Sequence, residues 1–154
     1  MAKKTKTVKN YTYHGLGFPI VIQDAKVVET KFGIGLDPKL RSKVKDYAIK
    51  ALLTEISRYT GAQLKFIRKY LELTQQDFAD KLGMGRTKVV SLENTNLELA
   101  PLSKGEIILI KALLSKGKEE KEHKRIRPKE LLDSCYKLID LDFTRPMPIE
   151  ALVI

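Results

Sequence analysis

The sequence predicts a mainly α fold, a compact set of helices with a small N-terminal β-hairpin or meander. Three observations predict it. Apolar residues recur at helical spacing from residue 38 onward. Residues 11–37 lack that period and are instead β-branched, aromatic and glycine-rich. Two short amphipathic segments flank Gly83, which is how two helices cross through a tight turn.

Taken in order, residues 1–10, "MAKKTKTVKN", are basic with no apolar run behind them, so they read as a disordered cationic arm and not as a secretory signal. Residues 11–37 form the small β element. "FPIVIQ" and "AKVVET" are its strand candidates, with a turn near Gln23 and Asp24, and Gly15, Gly17, Gly33 and Gly35 mark turns or bulges. Residues 38–60 make a long amphipathic helix. Asp37 caps it, Pro38 takes its first position, and Leu40, Val44, Tyr47, Ala48, Ala51, Leu52, Ile56 and Tyr59 keep its period. Thr60 and Gly61 close it.

Residues 61–114 form the next unit. "AQLKFIRKYLEL" is one helix. Thr74 caps "QQDFADKL", with Asp77 as its capping-box partner, and Gly83 breaks it. A further helix runs from about Arg86 to Glu93 or Asn94. Ser103 and Glu106 form a capping box for "KGEIILIKALL". Residues 115–154 comprise an exposed linker or frayed helix extension, the helix "PKELLDSCYKLI", and an extended tail. In that helix Leu131, Leu132, Cys135, Leu138 and Ile139 share one side. The apolar end of the tail, "IEALVI", needs a partner surface.

The spacing within 73–94 carries the chemistry. Ala79 follows Gln75 by four, Gly83 follows Ala79 by four, and Val89 follows Gly83 by six. A helix-turn-helix needs a small residue where its helices approach and a glycine where the backbone leaves the first helix. Phe78, Leu82, Val89 and Leu92 supply the buried faces. The outward face of the second helix then holds Arg86, Thr87, Val90 and Ser91, a mixture suited to base edges in a major groove. Gln75 can place an amide and helix-terminal N–H groups near a phosphate. Lys88 and Asn94 fall where the strand backbones flank the groove.

At these residues "TQQDFADKLGMGRTKVVSLEN" resembles the Xre/phage-repressor class of helix-turn-helix regulators, with "GAQLKFIRKYLEL" as the matching preceding helix. The resemblance covers about residues 61–114. It implies phosphate contacts at Gln75 and Asn94 and base contacts at Arg86, Thr87, Val90 and Ser91. Gly85 departs from the family, which often has Ser or Thr capping the recognition helix. The flanks, "YTYHGLGFP" and the long helix, are similar to regulators related to toxin–antitoxin antitoxins. The paired CxxC motifs of the zinc-binding branch are absent, so no metal and no other cofactor is implied.

Composition limits the alternatives. A net charge of +10 favours a polyanionic partner. A single cysteine, Cys135, rules out an intramolecular disulfide and a zinc site built mainly of thiolates, and suits a cytoplasmic setting. It reads as a small buried hydrophobe. No apolar run reaches the roughly 18–20 residues of a membrane span. His14, between glycines, reads as a turn residue, and Tyr11, Tyr13 and Phe18 as strand core in preference to base-stacking groups. The lysines of the arm read as solvated or as extra phosphate contacts. Enzyme readings lack parts: there is no phosphate loop, no GxSxG and no His/Cys/carboxylate cluster. Two functions compete. One is a double-stranded DNA-binding repressor, a homodimer on a palindromic operator. The other is an antitoxin-type module that neutralises a toxin partner.

Overall fold

A computed structural model describes residues 4–122, 128–141, 143 and 152–154. Among these lie four strands and six helices: β1 (Lys4–Tyr13), β2 (Ile20–Thr30), β3 (Gly33–Leu36), α1 (Pro38–Thr54), α2 (Gly61–Tyr70), α3 (Gln75–Leu82), α4 (Arg86–Glu93), α5 (Lys104–Glu122), α6 (Pro128–Ile139) and β4 (Leu152–Val153). The fold is mainly α with N-terminal strands, as the periodicity predicts. It divides into two units, Met1–Ile49 with Ala151–Ile154, and Lys50–Glu150, the boundary falling within α1. No described helix is long and apolar enough to cross a membrane.

The first unit is built on a four-stranded sheet with β2 at its centre. β1 pairs antiparallel with β2 along nearly its whole length, from Lys4↔Glu29 to Tyr13↔Ile20. The expected disordered arm is therefore a strand from Lys4 onward. Its Lys–Thr–Lys–Thr–Val run reads as charge along the sequence, but the β-branched Thr5, Thr7 and Val8 suit a pleated edge. Lysines on that edge oppose edge-to-edge association.

β2 also departs from expectation, since it runs unbroken through Gln23 and Asp24, where a turn was anticipated. The strand is distorted there. Its inward positions shift phase from Ile20 and Ile22 to Ala25 and Val27, all buried, and Asn10 across the ladder has φ +51°. The turns lie elsewhere. Gly17 N–H donates to His14 O (3.0 Å) between β1 and β2, with Gly17 at φ +93°. Residues 31–32 form the tight β2–β3 connection, and Gly33 takes φ +119°.

The apolar end of the tail finds its surface in this sheet. β4 pairs parallel with Ile20 and Val21 of β2, on the edge β1 leaves open. Ile154 N–H donates to Val21 O and Gln23 N–H to Ile154 O, both at 2.8 Å, and the Tyr47 hydroxyl donates to Val153 O at 3.0 Å. Leu152 joins Phe18, Leu36, Val44 and Ala48 among the buried residues of this unit.

In α1, Asp37 Oδ1 accepts from Lys39 N–H at 2.9 Å, the predicted cap before Pro38. The helix stops at Thr54, six residues short of the expected end at Thr60. Ile56 and Tyr59 keep the apolar spacing because both are buried, yet they lie beyond the helix. The buried ammonium of Lys111 in α5 explains the stop. It donates to the carbonyls of Leu53 and Ile56, each at 2.8 Å, and to Ser134 Oγ at 2.7 Å. A cation thus satisfies carbonyls that a helix C-terminus leaves open. The Tyr59 hydroxyl donates to Leu52 O at 2.7 Å. Thr60, expected to close α1, instead opens α2 through a capping box with Gln63.

α5 continues through residues 115–122, so the expected boundary at 114 falls inside a helix. Its extension packs closely: a Cβ on Gly117 would stand 2.1 Å from Leu71 Cδ2, and the Tyr70 hydroxyl donates to Glu122 Oε1 at 3.1 Å. The rest of the expected linker, and the Pro146–Pro148 stretch, lie outside the described residues. Cys135 is half-buried, more exposed than a core hydrophobe.

Candidate nucleic-acid interface

Local sequence sets both ends of the α3–turn–α4 pair. Thr74 Oγ1 accepts from Asp77 N–H (3.1 Å) and Thr74 N–H donates to Asp77 Oδ2 (3.3 Å). The hydrogen bond from the Thr74 hydroxyl, then that from its backbone, holds the Asp77 carboxyl below its usual range. Gly83 ends α3 at φ +64°, its N–H donating to Asp80 O at 3.2 Å, while Met84 N–H reaches Ala79 O at 3.0 Å. Three residues, 83–85, separate the helices. Gly85 is the N-cap of α4 and offers no side-chain hydrogen bond, so α4 begins at Arg86 without a capping hydroxyl.

Phe78, Ala79, Leu82, Val89 and Leu92 are all buried, at 5% exposure or less. The inner face is thus the one the spacing assigns. On α4, Arg86, Thr87, Lys88 and Ser91 are exposed, as is Asn94 just beyond it, and Val90 is half-buried.

Glu93 is the important residue that sequence reasoning passed over. It lies on the inner face, 7% exposed. Its carboxylate accepts from Arg68 Nε at 2.5 Å and Arg68 Nη2 at 3.2 Å, and from Gln75 Nε2 at 3.0 Å. Arg68 also donates to Leu73 O at 3.0 Å through Nη1. One buried carboxylate therefore ties α2, the start of α3 and the end of α4 together. A charged residue immediately after Leu92, among inward positions, was the available signal.

This bonding alters what Gln75 has to offer. One hydrogen of its amide is committed to Glu93, which leaves the second for a phosphate oxygen. A cleft of about 700 Å³ brings Gln75, Arg86 and Asn94 together with Lys65 and Asn96. Three of the seven anticipated contact residues thus converge, and Lys65 and Asn96 join them. Thr87, Val90 and Ser91 lie outside the cleft lining, on the face of α4. Lys88 is placed differently, for its ammonium is ion-paired with Glu106 of α5. Burial pushes the Glu106 carboxyl up, but hydrogen bonds from Lys88 and from Ser103 N–H (2.9 Å) outweigh it and hold the group below its usual range.

A scan against protein-family models finds no match, and searches of curated proteins and of solved structures find no similar chain.

Proposed function

We propose that this chain is a sequence-specific, double-stranded DNA-binding transcriptional regulator. On this reading it is a non-enzymatic repressor that acts in the cytoplasm as a homodimer on a palindromic operator. The observation that carries the proposal is the charge sorting on α4. Its outward side, Arg86, Thr87, Lys88, Val90 and Ser91, holds no carboxylate. Its single acid, Glu93, is turned inward and neutralised by Arg68. A surface that approaches the DNA backbone has to be free of exposed anions, and base edges need donors, small hydroxyls and apolar groups together. The motif resemblance to the Xre/phage-repressor class supports the same assignment.

In this arrangement Arg86 donates to a guanine, Thr87 and Ser91 reach base edges, and Val90 meets a thymine methyl. Gln75 and Asn94, joined by Lys65, hold the backbone on the cleft side. Lys88 contributes only when its pairing with Glu106 is exchanged for phosphate. The antitoxin reading draws on no particular contact. The last three residues, its most apolar ending, are engaged with β2 of the same chain.

In vitro selection of bound duplexes, followed by salt titration, tests the proposal. Affinity should fall steeply with salt, its logarithmic slope about −0.9 per phosphate contact. Arg86→Ala should relax preference at one base pair, a loss of about 1–3 kcal/mol in discrimination. Gln75→Ala should weaken all sequences alike. Selection that enriches no sequence, with no salt-sensitive binding, would refute it.

A further inference from the structure

We infer that α6 carries a homodimer interface, in which the α6 helices of two copies of this chain pack antiparallel. One face of α6 is already in use. Ser134 and Leu138, one turn apart, are buried. Lys104 Nζ, at the start of α5, donates to Ile139 O at 2.6 Å, and Lys111 Nζ donates to Ser134 Oγ at 2.7 Å. α5 and α6 therefore run in opposite directions, held together along this face.

The far face of a surface helix is ordinarily polar. Here it is apolar. Leu132, Tyr136 and Ile139, spaced by four and three, are 53%, 64% and 54% exposed, and half-buried Cys135 lies beside them. Leu132, Tyr136 and Ile139 turn about 100–160° away from Leu138 around the helix, so the packing against α5 that buries Leu138 does not cover them.

The charges bordering the outer stripe specify its partner. At about 100° per residue, Lys129, Asp133 and Asp140 fall along one flank of the stripe, and Lys137 lies about 40° further round from Asp133, the two lining a cleft with Lys50 and Thr54 of α1; Leu131 and Cys135 lie toward the other flank. Antiparallel packing about a two-fold axis sets like flanks face to face. Centred on Cys135, it places Asp133 level with Lys137 of the second copy and brings Lys129 within one residue, about 1.5 Å, of the level of Asp140 of the second copy. Each pairing occurs twice by symmetry. Leu132 comes within one residue of the level of Ile139 across the same axis. Parallel packing instead turns the charged flank toward the partner's Leu131 flank. The complementary occupant is thus a second copy of this chain in the reverse direction.

This deepens the homodimer half of the proposed function and does not require that the protein bind DNA. The test uses the full chain without DNA. Light scattering should give twice the chain mass, and a short bismaleimide should join two chains through Cys135, the single cysteine. Tyr136→Glu and Ile139→Glu should each yield a monomer with unchanged helical circular dichroism. Lys129→Glu should weaken the dimer about tenfold through lost and reversed charge pairs, and adding Asp140→Lys should restore it. A protein that stays monomeric, or a dimer indifferent to Tyr136→Glu and Ile139→Glu, overturns the interface. Failure of Asp140→Lys to rescue overturns the antiparallel arrangement. A dimer that binds no DNA refutes the DNA-binding reading alone, and a monomer that binds a selected duplex refutes this inference alone.

Discussion

Replacing Glu93 by alanine should unfold far more than its own helix turn. The substitution leaves the Arg68 guanidinium, 12% exposed, without its counter-charge, and leaves Gln75 without an acceptor. At an effective dielectric of about 20, two charges about 4 Å apart attract by about 4 kcal/mol. Breaking a buried pair from one side costs about 3–5 kcal/mol, since the remaining charge keeps its desolvation penalty. The retained bond from Arg68 to Leu73 O favours the lower end of that range. About 3 kcal/mol corresponds to a fall in Tm of roughly 12–24 °C for a unit of about 100 residues. Urea denaturation of Arg68→Ala, Glu93→Ala and the double variant measures it. The two single losses should not add, leaving a coupling energy of at least about 1.5 kcal/mol. Additive losses, or a loss under about 1 kcal/mol for Glu93→Ala, would refute the view that this carboxylate holds α2, α3 and α4 in register.

Three further outcomes follow from the same geometry. Lys111→Met takes the ammonium from Ile56 O, whereas Leu53 O keeps the Ser134 hydroxyl at 3.1 Å, and should cost about 1–3 kcal/mol in urea denaturation for the one carbonyl left unpaired; hydrogen exchange should quicken first at the end of α1. Gly83→Ala should cost about 1–2 kcal/mol through its left-handed φ alone, since the site is sterically open; Gly83→Asn should lose less. Glu106 titrates below its ordinary value of 4.5 in the folded protein, so its stabilisation is fully present above that pH and is lost as acid carries the protein through the lower, folded value. Lys88→Met should flatten that acid limb of the pH–stability curve, and an unchanged limb would show that Glu106 owes its acidity to Ser103 alone.

The elements most legible in the sequence were those decided within four or five residues. Thr74 with Asp77, Ser103 with Glu106, Asp37 before Pro38 and the glycine at 83 each state their conformation locally, and α3 begins and ends where that chemistry places it. The misplaced end of α1 has a different cause. Ile56 and Tyr59 are buried, and burial at the right spacing mimics another helical turn. The capping of α1 depends on Lys111, far along the chain, and a lysine within an amphipathic helix ordinarily reads as solvated. β1 was obscured because charge alternating with threonine suggests a tail until a partner strand is seen. In the candidate site the inner face and the outward face of α4 follow from helical period. The Arg68–Glu93–Gln75 cluster and the Lys88–Glu106 pair do not, since nothing local in the sequence joins α2 to α4 or α4 to α5.

The pairing of β4 with β2 has a topological consequence. Lys50–Glu150 is an insertion within the chain that makes the sheet, since β4 lies on its far side in sequence. If that insertion unfolds, β4 is tethered only by a slack loop of roughly 100 residues, and closing such a loop costs about 4 kcal/mol of chain entropy. Folding of the insertion takes its helices out of that slack loop and removes part of the cost. The stabilities of the two units are therefore linked through the chain itself, whatever contacts they share. A lesion in the helical unit should loosen the sheet at its β4 edge before it affects β1.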